Sequence, residues 1–305
     1  MKRFRHFLGV DQTGAILRGG LAAKPLKAAL LTETEKGWEL TSKILSDFNQ
    51  TAIQRAIGFT LNQETALVVD CVFGLSHEVW PSDSQAELSA QLWELFLLAS
   101  RSSNFYGMKA SEVFFRTLNT LANPASKSKT AIPKRQCELL AKANSVFLTR
   151  PFQKNIQTGT FRIWRDLVSE NPKKWLNIWP FETSRTQLKR APWIYEGFPS
   201  LFWRQVFGLK TRNLKLLRKA VETVFEKNYH LKIQVLDWNV FENDADLADA
   251  AVLALGALSL QLDMKLTSAL HKHNAVRNCA LGCAQKCAQK CEGWILGLEN
   301  GKALL

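Results

Sequence analysis

The stretch Thr65–Asp70 reads TALVVD. Ala66 to Val69 are wholly apolar, with no polar residue alternating between them. A strand with one wet face alternates apolar and polar residues, whereas a short unbroken apolar run suits a strand covered on both faces of its sheet. Helices must then lie on both sides of that sheet, which makes the fold α/β. The run stops at a carboxylate, Asp70, followed by CVFGL (71–75).

Working outward, FRHFLGVD (4–11) reads as a strand and Thr13-Gly14 as a turn. Ala15–Ala23 and Leu26–Thr32 read as two more strands, interrupted at Lys24-Pro25, so that the chain begins with a three-strand meander. Ser42–Ile57 reads as a helix: Ile44, Leu45, Phe48, Ile53 and Ile57 recur near helical spacing, and Thr41 or Ser42 can cap it. Helical patterns follow at Ser84–Ala99, Ser111–Leu121 and Pro133–Ser145. Strand character returns at Trp193–Glu196. Asn213–Tyr229 then reads as a helix, KIQVL (232–236) as a short strand and Asp246–Leu262 as a long apolar helix. This order predicts a mixed sheet with helices on both faces. Its two parts, 1–100 and 192–305, are separated by a basic, mainly helical insertion or subdomain, 101–191.

The chain has 305 residues, 46% hydrophobic and 22% charged, which suits a sizeable globular core. No run of about 18 apolar residues marks a membrane span. The basic start MKRFRHFLGVDQTG loses its apolar character at Asp11, too soon for a secretory signal. The expected location is the cytoplasm, with no membrane partner. Four of six cysteines recur at Cys279, Cys283, Cys287 and Cys291. That spacing is not that of zinc pairs, and with Ala280, Ala284 and Ala288 it reads as a stripe of small packing residues. Cys71 reads as a buried strand cysteine, with nothing adjacent in sequence to lower its pKa.

The formal net charge is +13, which favours an acidic partner such as nucleic acid, or simply a basic solvated surface. Residues 127–190 hold 14 Lys and Arg against four acids. Cations that track phosphates would come from here, and Lys134, Arg135, Arg150, Arg162, Arg165 and Lys173 are the candidate nucleic-acid contacts. Arg135 has a second reading, as partner of an active-site carboxylate or of a phosphate. The interleaved rings of Phe147, Phe152, Phe161, Trp164, Trp175, Trp179 and Phe181 read as core.

Against this basic background, carboxylates stand where apolar strands end: Asp11 after LGV, Asp70 after LVV and Glu196 after WIY. The C-terminal edge of an open α/β sheet is where ligands bind. Asp246 and Asp249, three apart, share one helix face. Converging carboxylates repel, and cationic side chains or divalent metal relieve the repulsion. Oxygen-only donors point to Mg²⁺ or Mn²⁺, and a pair of such ions about 3.5–4 Å apart activates water and steadies a leaving oxygen at a phosphodiester. Each acid also has a plainer role. Asp244 or Asp246 can cap the helix, Glu242 is a solvated charge and Asp70 can form a turn.

The segments GVDQTGA (9–15), LVVDCVFGLS (67–76), KRQCELL (134–140), WIYEGFPS (193–200), DLADAAVLAL (246–255) and EGWILGL (292–298) together resemble, in order, the domain-of-unknown-function 429 family. The resemblance implies a ribonuclease-H-like core, a mixed five-stranded sheet flanked by helices, carrying the large insertion. It also implies a nuclease in which Asp11, Asp70, Glu196 and Asp249 hold Mg²⁺ or Mn²⁺, with Asp246 as a further catalytic acid. DCVFG departs from the family pattern, which has Pro where Val72 stands. Two other classes remain open on the sequence. One is a nucleotide-binding phosphotransferase of the actin and sugar-kinase type, for which GVDQTGA would be the first phosphate loop. The other is a non-catalytic nucleic-acid binder on the same fold.

Overall fold

Thr65–Val69 is a strand buried along its whole length, and it lies near the middle of a seven-stranded mixed sheet. The computed structural model describes residues 3–12, 24–75, 85–101, 108–122, 134–147, 156–182, 186–263, 296, 298–299 and 302–303. In chain order the sheet strands are β1 (His6–Asp11), β2 (Leu26–Thr34), β3 (Gly37–Leu45), β4 (Thr65–Val69), β5 (Asn177–Ile178), β6 (Trp193–Glu196) and β7 (Ile233–Val235). Across the sheet they run β5-β6-β4-β1-β2-β3-β7. Within this sheet only β2 is antiparallel to its neighbours; the pairs β1/β4, β4/β6, β5/β6 and β3/β7 are parallel.

The sheet has seven strands where the resemblance implies five. The added edge strands β5 and β7 are two and three residues long, too short to carry a periodic signal. The meander is β1-β2-β3, and its third strand is Gly37–Leu45. The predicted strand Ala15–Ala23 and the Thr13-Gly14 turn lie outside the described residues. Ser42–Leu45, expected to open a helix, instead completes β3. Lys27 pairs with Ile44 and Leu26 with Leu45, so the edge pairing with β2 outweighs a weak helical pattern. The helix α1 starts only at Gln50 (Gln50–Ile57), where the Asn49 side chain accepts the Ala52 N–H at 2.8 Å.

Each face of the sheet carries its own apolar layer. On one face lies α9 (Ala245–Leu262), whose Ala250, Leu253 and Ala254 pack with Phe7, Ala29, Leu31, Ala66 and Val68. Gly9 permits this approach. A methyl group at that position would stand 1.9 Å from the Ala250 carbonyl oxygen and 2.8 Å from the Ala254 nitrogen. Outside α9 pack α6 (Pro199–Gln205), α7 (Leu214–Glu222) with its π-helical continuation Thr223–Asn228, and α8 (Trp238–Glu242). Among the described residues α9 alone is long and apolar enough to cross a membrane, but 78% of it is buried, as befits a core helix between two layers.

On the other face α2 (Gln85–Arg101), α3 (Met108–Ala122) and α5 (Ile156–Leu167) bring Phe96, Phe115, Phe161 and Trp164 into one cluster with Leu8, Val10, Leu67, Val69 and Ile194 of the sheet. Trp175 and Phe181 join the same cluster, and Trp179 joins the α9 side. The described part of 101–191 therefore shares, with α1 and α2, the covering layer of the sheet's second face, and supplies its edge strand β5. The short helix α4 (Gln136–Ala141) belongs to this stretch as well. The chain's tail returns to the sheet where the Leu296 N–H donates to the Glu196 carbonyl at 2.8 Å.

Candidate active site

Register decides which side chains meet. Val10 pairs with Val69, and Val69 with Glu196, so β1, β4 and β6 end in step. Asp11 and Asp70 stand one residue beyond that row. Side chains alternate along a strand, so they project to the face opposite Val10, Val69 and Glu196. Val10 and Val69 pack on the helical layer with Trp164. Asp11 and Asp70 consequently face α9, where Asp249 lies in the second turn. Glu196, though it ends its strand in the same way, projects to the other side.

On the α9 side the three aspartates form one electrostatic unit. Asp11 is 5% exposed and Asp249 2%. Asp70 and Asp11 are joined by a side-chain hydrogen bond, which two carboxyls make only through a shared proton. Burial, then the charge of Asp249, pushes the Asp70 carboxyl up to about 7; the hydrogen bond with Asp11 and the charge of Arg212 act the other way, and Glu196 adds to the rise. Asp249 itself accepts the Trp203 indole N–H at 2.7 Å on one oxygen, and pairs with the Arg212 guanidinium on the other. Trp203 comes from α6 and Arg212 from the loop ahead of α7.

Glu196 is held in a buried ion triad. The Arg135 guanidinium donates to its two oxygens at 2.7 and 2.5 Å, and the Phe73 N–H adds a third bond at 2.9 Å. Arg135 also pairs with Glu138 at 3.0 Å. Burial pushes Glu138 up, against the pull of Arg135. Glu196 thus clamps the loop after β4 to α4. The same loop is tied to α5: Thr160 accepts the Val72 N–H at 3.3 Å, and the Trp164 indole donates to the Val72 carbonyl at 2.8 Å. A proline at 72 has no N–H for the first of these bonds, so Val72 fits this loop's own anchoring. Cys71 is buried beside Asp70, and burial pushes its thiol well up, as suits a packing residue.

The acidic start of α9 resolves into separate roles. Asp244 is the N-cap, accepting the Asp246 and Leu247 N–H groups at 3.0 and 3.1 Å, and it pairs with Lys27 at 3.0 Å. Asp246 sits half-buried in the first turn, one turn ahead of Asp249. Among the described residues no group of three or more His, Cys, Asp or Glu side chains is arranged as a ready metal-ligand set.

The predicted nucleic-acid contacts divide. Arg135 and Arg162 are 2% and 6% exposed, and are corrected from surface contacts to internal ones. Arg135 takes the second role read from the sequence, as partner of Glu196. Arg162 donates to the Lys24 and Ser46 carbonyls and pairs with Asp166 at 3.5 Å. Arg165 also binds Asp166, which accepts the Phe48 N–H as well, so this network straps α5 to the meander. Lys134 and Lys173 are exposed, and Lys134 donates to the Ala143 carbonyl at 3.0 Å. Arg150 and the four-cysteine stripe lie outside the described residues. Arg212, Trp203 and Glu138 carry no signal in the sequence reading. Arg212 and Trp203 touch a carboxylate about 40 residues away, and no local pattern marks such a pairing.

Compared with protein-family models, with curated proteins and with solved structures, the chain matches none.

Proposed function

We propose that the chain is a metal-dependent nuclease of the ribonuclease-H-like kind that hydrolyses phosphodiester bonds of DNA or RNA, acting in the cytoplasm. The observation that carries this reading is the meeting of Asp11, Asp70 and Asp249 at the ends of two parallel strands beneath α9, with Asp70 lifted to about 7. The central strand order β3-β2-β1-β4-β6, with β2 alone reversed, is compatible with that fold and with the resemblance to the domain-of-unknown-function 429 family.

The donor chemistry of these three side chains suits Mg²⁺ or Mn²⁺. Three carboxylates offer hard oxygens only, and the rise at Asp70 comes first from burial and then from the charge of Asp249. Asp11, Asp70 and Asp249 would hold the ion. Glu196, with both oxygens engaged, supports the Asp70 loop from behind, and Asp246 stands at the approach. A bound divalent ion lowers the pKa of water and stabilises the departing oxygen. The chain's own part is to hold the carboxylates rigidly. β1 and β4 set the spacing of Asp11 and Asp70, Trp203 orients Asp249, and the Glu196–Arg135 clamp steadies the loop.

The test is cleavage of labelled single-stranded, duplex and hybrid nucleic acids with Mg²⁺, Mn²⁺ or chelator. The expected result is metal-dependent cleavage lost in both Asp11→Asn and Asp249→Asn. Salt-sensitive binding without cleavage would replace this reading with a non-catalytic binder, and ATP hydrolysis would replace it with a phosphotransferase.

A further inference from the structure

The segment Arg204–Lys219 holds six cations, Arg204, Lys210, Arg212, Lys215, Arg218 and Lys219, and no acid. All six are exposed. Arg218 pairs with Glu222 and Arg212 with Asp249. Lys210, Lys215 and Lys219 make no salt bridge to an acid among the described residues. This charge differs from that of residues 127–190, where Arg135, Arg162 and Arg165 are engaged in internal ion pairs.

The segment is also anchored. Phe202, Trp203, Phe207 and Leu217 are buried in the α9-side core, and the Leu209 N–H donates to the Trp203 carbonyl at 2.9 Å. In α7 the apolar positions Leu214, Leu217 and Val221 turn toward that core, which leaves Lys215, Arg218 and Lys219 outward at helical spacing. Both Trp203 and Arg212 reach Asp249, so the cationic ledge begins at the carboxylate cluster itself.

We propose that the ledge Arg204–Lys219 seats the phosphate backbone of a nucleic acid, with Arg212 as its inner end beside the three aspartates. The proposal rests on the nucleic-acid reading of that site. Carboxylates alone repel a polyanion. A row of cations that starts at Arg212 and includes three lysines with no salt bridge among the described residues supplies the attraction and sets where the strand enters. Arg212, 44% exposed while it touches Asp249, presents the rest of its fork outward to a phosphate.

The experiment measures fluorescence anisotropy of a labelled single-stranded 20-mer DNA over a salt series in chelator, so that binding is read without cleavage. The wild type is compared with the triple variant Lys210→Gln, Lys215→Gln, Lys219→Gln and with the control Lys36→Gln, Lys232→Gln, two exposed lysines at the opposite end of the sheet. Three lost phosphate contacts flatten the log–log salt slope by about 2 and weaken binding about 50-fold at ~0.15 M salt. The control binds as the wild type does. All five lysines are exposed, so thermal melts should match the wild type and loss of binding is not loss of fold. Equal binding by the wild type and the triple variant overturns the proposal. So does absence of oligonucleotide binding by the wild type, or binding of anionic-lipid vesicles in its place. Because the readout needs no catalysis, a ledge that binds without cleavage leaves this proposal standing while the nuclease reading fails.

Discussion

Asp70→Asn isolates the electrostatic strain of the candidate site. An aspartate unfolded at 3.8 and raised to about 7 in the folded chain binds more protons folded than unfolded between those values. Its contribution to stability is therefore fully present below about pH 3.8, falls as pH rises, and is lost above about 7. At ~1.36 kcal/mol per pH unit the ceiling of that loss is about 4 kcal/mol. Asp70 is only partly buried, and water and structural relaxation hold the burden to between about 2 kcal/mol and that ceiling. The amide that Asp70→Asn introduces would carry no charge yet still donate to Asp11, so D70N should be more stable than the wild type by about 2–4 kcal/mol at pH 8. At pH 5 the gain should be less than half as large. Thermal or urea unfolding in chelator at both pH values reads this directly, with a rise in Tm of roughly 4–8 °C at pH 8. A variant less stable than the wild type at pH 8, or an equal change at both pH values, would refute the clustered arrangement of Asp11, Asp70 and Asp249.

Three further outcomes follow from the packing. Gly9→Ala drives a methyl into the α9 backbone and should cost about 3 kcal/mol or more, whereas Gly256→Ala first meets a side chain, the Phe202 ring at 2.3 Å, and should cost less; paired melts check the ranking. Arg135→Met leaves Glu196 and Glu138 buried without their cation and should lower stability by about 3–5 kcal/mol, read as a drop in Tm of roughly 6–10 °C. Asp244→Ala removes the α9 cap and should cost about 1 kcal/mol, while Asp246→Ala should cost less; denaturant midpoints of the two variants decide which acid caps.

TALVVD is legible because burial on both faces leaves a compositional trace, and the same holds for β6 and for α9, whose every turn is apolar. Asp11, Asp70 and Asp249 can be picked out because each stands at the edge of an apolar element. The sheet's outer strands are not legible, since two or three residues show no period. Ser42–Leu45 reads as helix in isolation because its pairing with β2, a non-local interaction, overrides the local pattern only in the folded chain. Arg135 and Arg162 resemble surface charge because cationic residues beside aromatics read alike whether they face phosphate or a buried carboxylate.

The amino-acid sequence by itself determined that a buried central strand and a buried apolar helix exist, and that carboxylates end them. Those properties follow from the composition of contiguous residues. Only the tertiary structure decided which carboxylates share a site. Asp11 and Asp70 face α9 and Glu196 does not, because the register Val10–Val69–Glu196 places Glu196 one residue out of step with the two aspartates, and one residue along a strand exchanges its faces. It also chose Arg212 and Trp203 as the partners of Asp249, because packing α6 and the loop ahead of α7 on α9 brings together residues far apart along the chain.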